Sequence, residues 1–94
     1  MSRRIITETD LRRRLSINVR ALRTKAGYTV KRVSARAEMH WRHWQKIEAG
    51  ETNATLATVV KMADALDVDP NDLLREAVND AASSSGQRPR QQSP

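Results

Sequence analysis

The sequence predicts an all-α fold of five short helices. Three observations lead there. Apolar residues recur three and four positions apart in the stretches between residues 9 and 78, the spacing of one helix face. Start and stop signals divide those stretches: Gly27, Gly50, Thr29, Thr55 and the run Asp69-Pro70. No segment alternates apolar and polar residues with the period of a strand.

The first helix is expected to start near Thr9 or Asp10, both N-cap types. Leu15, Val19, Leu22 and Ala26 form its apolar stripe, and Gly27 stops it. Thr29 caps the second helix, with Tyr28 placed to staple onto Val33. Val30, Val33 and Ala37 make its short stripe, and a break is expected around Glu38 and Met39. The third helix spans roughly Trp41 to Ala49, with Trp44 and Ile47 inward beside Met39, and Gly50 ends it. Thr55 caps a fourth helix whose predicted stripe is Leu56, Val59, Val60, Ala63 and Leu66. Asp69 as cap, Pro70 at the first helical position and Asp72 two residues later open the fifth. Leu73, Leu74, Ala77 and Val78 supply its apolar side.

Residues 1–8 read as a frayed basic N-terminus carrying Arg3 and Arg4, residues 9–78 as one domain, and residues 79–94 as a polar, disordered tail. A chain of 94 residues has little room for a separate sensing or catalytic domain. It contains no cysteine, which excludes disulfides and thiolate metal sites and fits a reducing cytoplasm. No apolar run approaches a membrane span. The opening residues lack an apolar h-region, so no secretory signal is expected.

Charge is unevenly placed. The net charge is +6. Residues 1–46 hold thirteen Lys/Arg against Glu8, Asp10 and Glu38, whereas residues 47–94 hold four against eight acids. Such asymmetry suits a polyanion bound on one face. Neither a Gly-rich phosphate loop nor a nucleophile–base pair is present, so no enzymatic activity and no cofactor are expected. His40 and His43 lack the carboxylate or thiolate that would complete a metal site.

The elements occur in a telling order. They run Val19-Arg20-x-Leu22-Arg23, Gly27-Tyr28-Thr29, Val33-x-x-x-Ala37, Trp44-x-x-Ile47-Glu48-x-Gly50, Asn53-x-Thr55-Leu56, Ala63-x-x-Leu66-x-Val68 and Leu73-Leu74. This set resembles the Cro/phage-repressor (XRE) type of helix-turn-helix regulator, over roughly two thirds of the chain. The Ile-Glu-x-Gly element followed by Asn-x-Thr-Leu is its most specific part. Three positions depart from the pattern. Glu38 stands where the family usually has the turn glycine, Val30 where it often has a DNA-touching glutamine, and Trp44 where it commonly has a smaller aliphatic residue.

The resemblance implies a five-helix, lambda-repressor-like domain with its helix-turn-helix at helices two and three. It implies double-stranded DNA as ligand, with the third helix in the major groove. The matching base-facing positions are Trp41, Arg42 and Lys46, with His43 and Gln45 beside them. Arg42 can bond two acceptors of one guanine; Lys46 can reach a guanine or a phosphate. For Trp41, contact with a thymine methyl or sugar, with a dimer partner, or with its own domain all remain open. Phosphate contacts are expected from Thr29, Lys31 and Arg32 at the start of helix two, and from Asn53 and Thr55, the latter also an N-cap. Arg23 and Glu48 are implied to form a structural ion pair. The resemblance further implies a cytoplasmic, nucleoid-associated repressor acting as a homodimer on inverted half-sites, with a dimer surface near Leu73, Leu74 and Val78. The alternative is an antitoxin or adaptor whose main role is to bind a protein partner.

Overall fold

A computed structural model of the protein describes residues 5–76. The basic arm with Arg3 and Arg4, the apolar positions Ala77 and Val78, and the tail at 79–94 lie outside the described residues. Five helices follow in order: α1 (Glu8–Ala26), α2 (Val30–Arg36), α3 (Trp41–Glu48), α4 (Leu56–Leu66) and α5 (Pro70–Leu74). Long α1 packs on α3, α4 and α5, while α2 packs on α3 and α4. Among the described residues no helix is long and apolar enough to cross a membrane.

Every helix contributes to one core. Leu15 and Val19 come from α1, Val33 from α2, and Trp44 and Ile47 from α3; Ala37 closes α2. Val59, Met62, Ala63, Ala65 and Leu66 come from α4, and Leu73 from α5. Trp44 is fully buried, so the large indole takes the core position rather than a smaller aliphatic side chain.

Three stripe assignments are corrected. Ala26 is exposed at the end of α1. On α4, Leu56 and Val60 are 78% and 55% exposed, and Met62 and Ala65 are buried instead. The apolar residues of α4 cover more than half a turn, so helical period alone could not say which side faces inward. The choice belongs to α1, α2 and α5, which pack on the other side. Leu73 is fully buried, so it serves the core and is not part of an exposed dimer surface.

The start of α1 also differs. Thr7, not Thr9 or Asp10, is the N-cap. The Asp10 N–H donates to Thr7 Oγ1 (3.1 Å), and the Thr7 N–H donates to an Asp10 carboxylate oxygen (3.0 Å). This reciprocal box satisfies two otherwise free donors and makes Asp10 the third helical residue. A second box, Asp69 with Asp72, starts α5 behind Pro70. Asn18 on α1 then holds the end of α5, its amide donating to the carbonyls of Leu73 (3.0 Å) and Arg75 (2.9 Å).

Four helices end in the same way. After each, one residue turns left-handed, and its own N–H and that of the following residue bond back into the last turn, as in a Schellman motif. The left-handed residues are Gly27, Glu38, Gly50 and Asp67, with φ of 83°, 56°, 74° and 62°. At the α2–α3 turn the Glu38 N–H reaches Ala35 O (3.1 Å) and the Met39 N–H reaches Ser34 O (2.9 Å). The residue after each of three such ends (Tyr28, Met39 and Val68) packs partly into the core.

At Glu38 and Asp67 a side chain occupies a conformation that L-residues adopt at a cost of about 1–2 kcal/mol. Each also puts an anion at the negative end of a helix. Glycine relieves both effects but restores some unfolded-state entropy. Glu38→Gly and Asp67→Gly are each expected to raise stability by about 0.5–1 kcal/mol. Thermal denaturation checks this; an unchanged or lower Tm would show that the side chains recover the cost through contacts of their own.

Candidate nucleic-acid interface

The short connection between α2 and α3 sets the site. Glu38 and Met39 reverse the chain, and His40 caps the new helix. With about 100° per residue, inward Trp44 and Ile47 fix which side of α3 looks out. Arg42, Gln45 and Lys46 then fall on one outward arc, and all three are exposed. His43 is exposed on one flank, and Trp41 is half-buried on the other.

Trp41 joins the two helices of the pair. The Lys31 Nζ of α2 stands 5.3 Å from its ring centroid, and the Arg42 guanidinium stands 5.4 Å from it. The His40 ring lies alongside at 5.9 Å. These contacts of Trp41 all lie within its own domain. A second aromatic plays a similar part. Tyr28 carries the Arg36 guanidinium at 5.1 Å and that of Arg32 at 5.9 Å. Arg36 also donates from Nε to Ala65 O (3.0 Å), tying α2 to α4.

Lys31 and Arg32 are exposed on the first turn of α2, where the Arg32 N–H donates to Thr29 Oγ1 (3.1 Å). Thr55 likewise caps α4 by accepting the Thr58 N–H (3.1 Å), while its hydroxyl donates to Thr58 Oγ1. Asn53 is exposed but sits in a groove between the start of α4 and α1, beside Ala54, Leu11 and Arg12. In the chain it is separated from the Lys31–Trp41–Arg42 cluster by the rest of α3 and by residues 49–52.

Beneath this surface lies a polar hub. Glu48 ends α3, with Arg23 Nε 2.6 Å from Oε2 and Arg23 Nη2 3.1 Å from Oε1. The Trp44 indole N–H donates to the same Oε2 at 2.6 Å. Ser16 donates to the Glu48 carbonyl, and Arg23 Nη1 donates to Tyr28 O at 2.9 Å. The two ionic side chains are only 17% and 9% exposed.

Two features escaped the sequence reading. One is the His40 cap, because histidine is not a usual N-cap type. The other is the indole of Trp44 as third member of the Arg23–Glu48 pair. The spacing of Trp44 and Glu48, four apart on one helix, was the available signal.

A tight helix pair, with a basic outward arc on its second helix, is the architecture of a helix-turn-helix DNA-binding domain. The chain belongs to the helix-turn-helix domain family, of Cro/phage-repressor type, whose model matches residues 14–77; this is a family of DNA-binding transcriptional regulators. Among solved structures it is similar to the restriction-modification controller protein C.AhdI from Aeromonas hydrophila, with 26% identity and a TM-score of 0.64, over 66% of this chain and 94% of that one. It shares its fold with a hypothetical transcription factor, NHTF, from Neisseria, with 24% identity and a TM-score of 0.72, over 87% of this chain and 94% of that one. It also shares it with an HTH_3-family transcriptional regulator from Vibrio cholerae, with 21% identity and a TM-score of 0.69, over 71% of this chain but only 38% of that one. Comparison with curated proteins gives no match.

Removing the Glu48 carboxylate would strand a half-buried guanidinium and a buried indole N–H. Glu48→Ala is expected to cost about 2–4 kcal/mol and to weaken DNA binding by loosening α3. Glu48→Gln keeps an acceptor and should cost less than half as much. Melting curves and DNA titrations test this together; an alanine variant with unchanged Tm and unchanged affinity would remove the hub from the account.

Proposed function

We propose that this regulator recognises specific double-stranded DNA sequences as a homodimer and represses transcription from inverted-repeat operators. The observation that carries the reading is the exposed arc of Arg42, Gln45 and Lys46 on α3, framed by Lys31 and Arg32 on α2. Glu48, the acid on α3, is held inward by Arg23 and Trp44, which leaves the arc cationic.

In this reading α3 lies in the major groove. Arg42 bonds two acceptors of a guanine, a contact worth about 1–3 kcal/mol of discrimination. Lys46 follows one turn later, Gln45 can pair with adenine, and His43 stands at the groove flank. Thr29, Lys31, Arg32, Asn53 and Thr55 hold phosphates, which fixes orientation without reading sequence. Both capping threonines keep their intrahelical bonds, so Thr29 and Thr55 contribute to phosphate contact chiefly through their exposed positions.

A helix of eight residues reads only a few base pairs, so two copies about one DNA turn apart are the natural arrangement. Leu56 and Val60 support a second copy as the occupant of the outer side of α4. They are four apart on one helix side and exposed, and Leu56 faces Leu11 across a shallow groove. A two-fold contact buries the same patch from both copies, here beside Asn53 and Thr55 at the start of α4.

The first experiment is selection of bound duplexes from a random library with wild type and with Arg42→Ala/Lys46→Ala. The expected result is a palindromic motif that disappears in the variant. Salt-sensitive binding without any motif, equal in both proteins, would reduce the basic face to a phosphate patch. No DNA retained by a folded protein would favour a protein partner instead. For the dimer surface, Val60→Glu should shift sedimentation toward the monomer and reduce operator affinity at least tenfold, an estimate of roughly 1.4 kcal/mol or more. A variant that still sediments as a dimer would place the interface elsewhere.

A further inference from the structure

Helix α3 begins on an uncommon cap. The Arg42 N–H donates to His40 Nδ1 at 3.1 Å, which places the proton of the ring on Nε2. The same imidazole stacks beside Trp41, with the two planes 24° apart. The Trp41 ring in turn carries the Arg42 guanidinium at 5.4 Å. Arg42 is therefore held twice, through its main chain by His40 and through its side chain by Trp41.

We infer that His40 and Trp41 are positioning residues for Arg42, setting the helix start and the side-chain direction from which Arg42 reads its base pair, and do not themselves read a base. The inference rests on the DNA-reading role proposed above. A free arginine samples many rotamers, and ordering it on a base costs entropy. A ring that already restrains the side chain lowers that cost before DNA arrives. A guanidinium held over a ring makes no hydrogen bond to it, so its N–H donors stay available for the two acceptors of guanine. Lys31, on the same ring at 5.3 Å, brings the first turn of α2 into register with the start of α3. One aromatic side chain thus relates a phosphate-facing cation to a base-facing one.

The test is a mutant cycle on the duplex that wild type selects, with a random duplex as control. His40→Ala and Trp41→Ala should each lower specific affinity about five- to tenfold and leave random-duplex binding within about twofold. In an Arg42→Ala background both should cost nothing further. His40→Asn, which keeps a capping acceptor, and Trp41→Phe, which keeps an aromatic face, should restore most of the loss. Trp41→Phe also keeps the cycle usable should Trp41→Ala fail to fold. In the free protein, the Arg42 amide should exchange faster in His40→Ala and recover in His40→Asn. A Trp41→Ala penalty that persists undiminished in the Arg42→Ala background would overturn the inference, because Trp41 would then read DNA by itself. Unchanged amide exchange in His40→Ala would overturn the His40 half. A wild-type protein that selects no motif would overturn the DNA-reading proposal and this inference with it, an outcome distinct from additive penalties on a selected operator.

Discussion

Glu48 is the residue on which the placement of α3 depends. It stands at the negative end of its own helix, where an anion is unfavourable by about 0.3–1 kcal/mol. Two bonds from Arg23 and one from the Trp44 indole offset that; charge-assisted bonds of this kind are each worth about 1.5–3 kcal/mol. Partial burial of both charges offsets much of that gain. The hub's geometric effect matters more than its net energy. Arg23 belongs to α1 and also grips Tyr28 O just before α2, while Ser16 of α1 holds the Glu48 carbonyl. One carboxylate therefore fixes α3 against α1 and, through Arg23, against the entrance to α2.

In the proposed reading the hub also removes a problem for a surface that meets phosphate. An uncompensated acid on α3 would repel DNA. By facing inward between Arg23 and Trp44, Glu48 takes its charge away from the arc that carries Arg42, Gln45 and Lys46. The other two aromatics, Trp41 and Tyr28, do the converse. Trp41 gathers Lys31 and Arg42, and Tyr28 gathers Arg32 and Arg36. Like charges that would otherwise splay apart are kept near one another by ring faces, at roughly 0.5–1 kcal/mol for an exposed contact.

The helix ends show where local rules bend. Four Schellman-type ends recur, but glycine fills only two of the left-handed positions, and Glu38 and Asp67 fill the others. The tertiary frame holds these residues there because Met39 and Val68, the next residues in the chain, are drawn partly into the core. Burial of the neighbour outweighs the local preference of the acid.

Much of this was written in local sequence. Helix number and order followed from apolar spacing and from caps such as Thr29, Thr55 and Asp69, because capping and period are properties of a few adjacent residues. Gly27 and Gly50 marked their stops for the same reason. The ordered motif also placed Arg42 and Lys46 on α3 together. What only the tertiary structure decided were questions about partners distant in the chain. The apolar circumference of α4 fits two inward faces, and packing against α1, α2 and α5 chose Met62 and Ala65 over Leu56 and Val60. The placing of Lys31 on Trp41 depends on two helices meeting at a fixed angle. Sequence period defines which residues share a face; only the neighbouring element determines what that face touches.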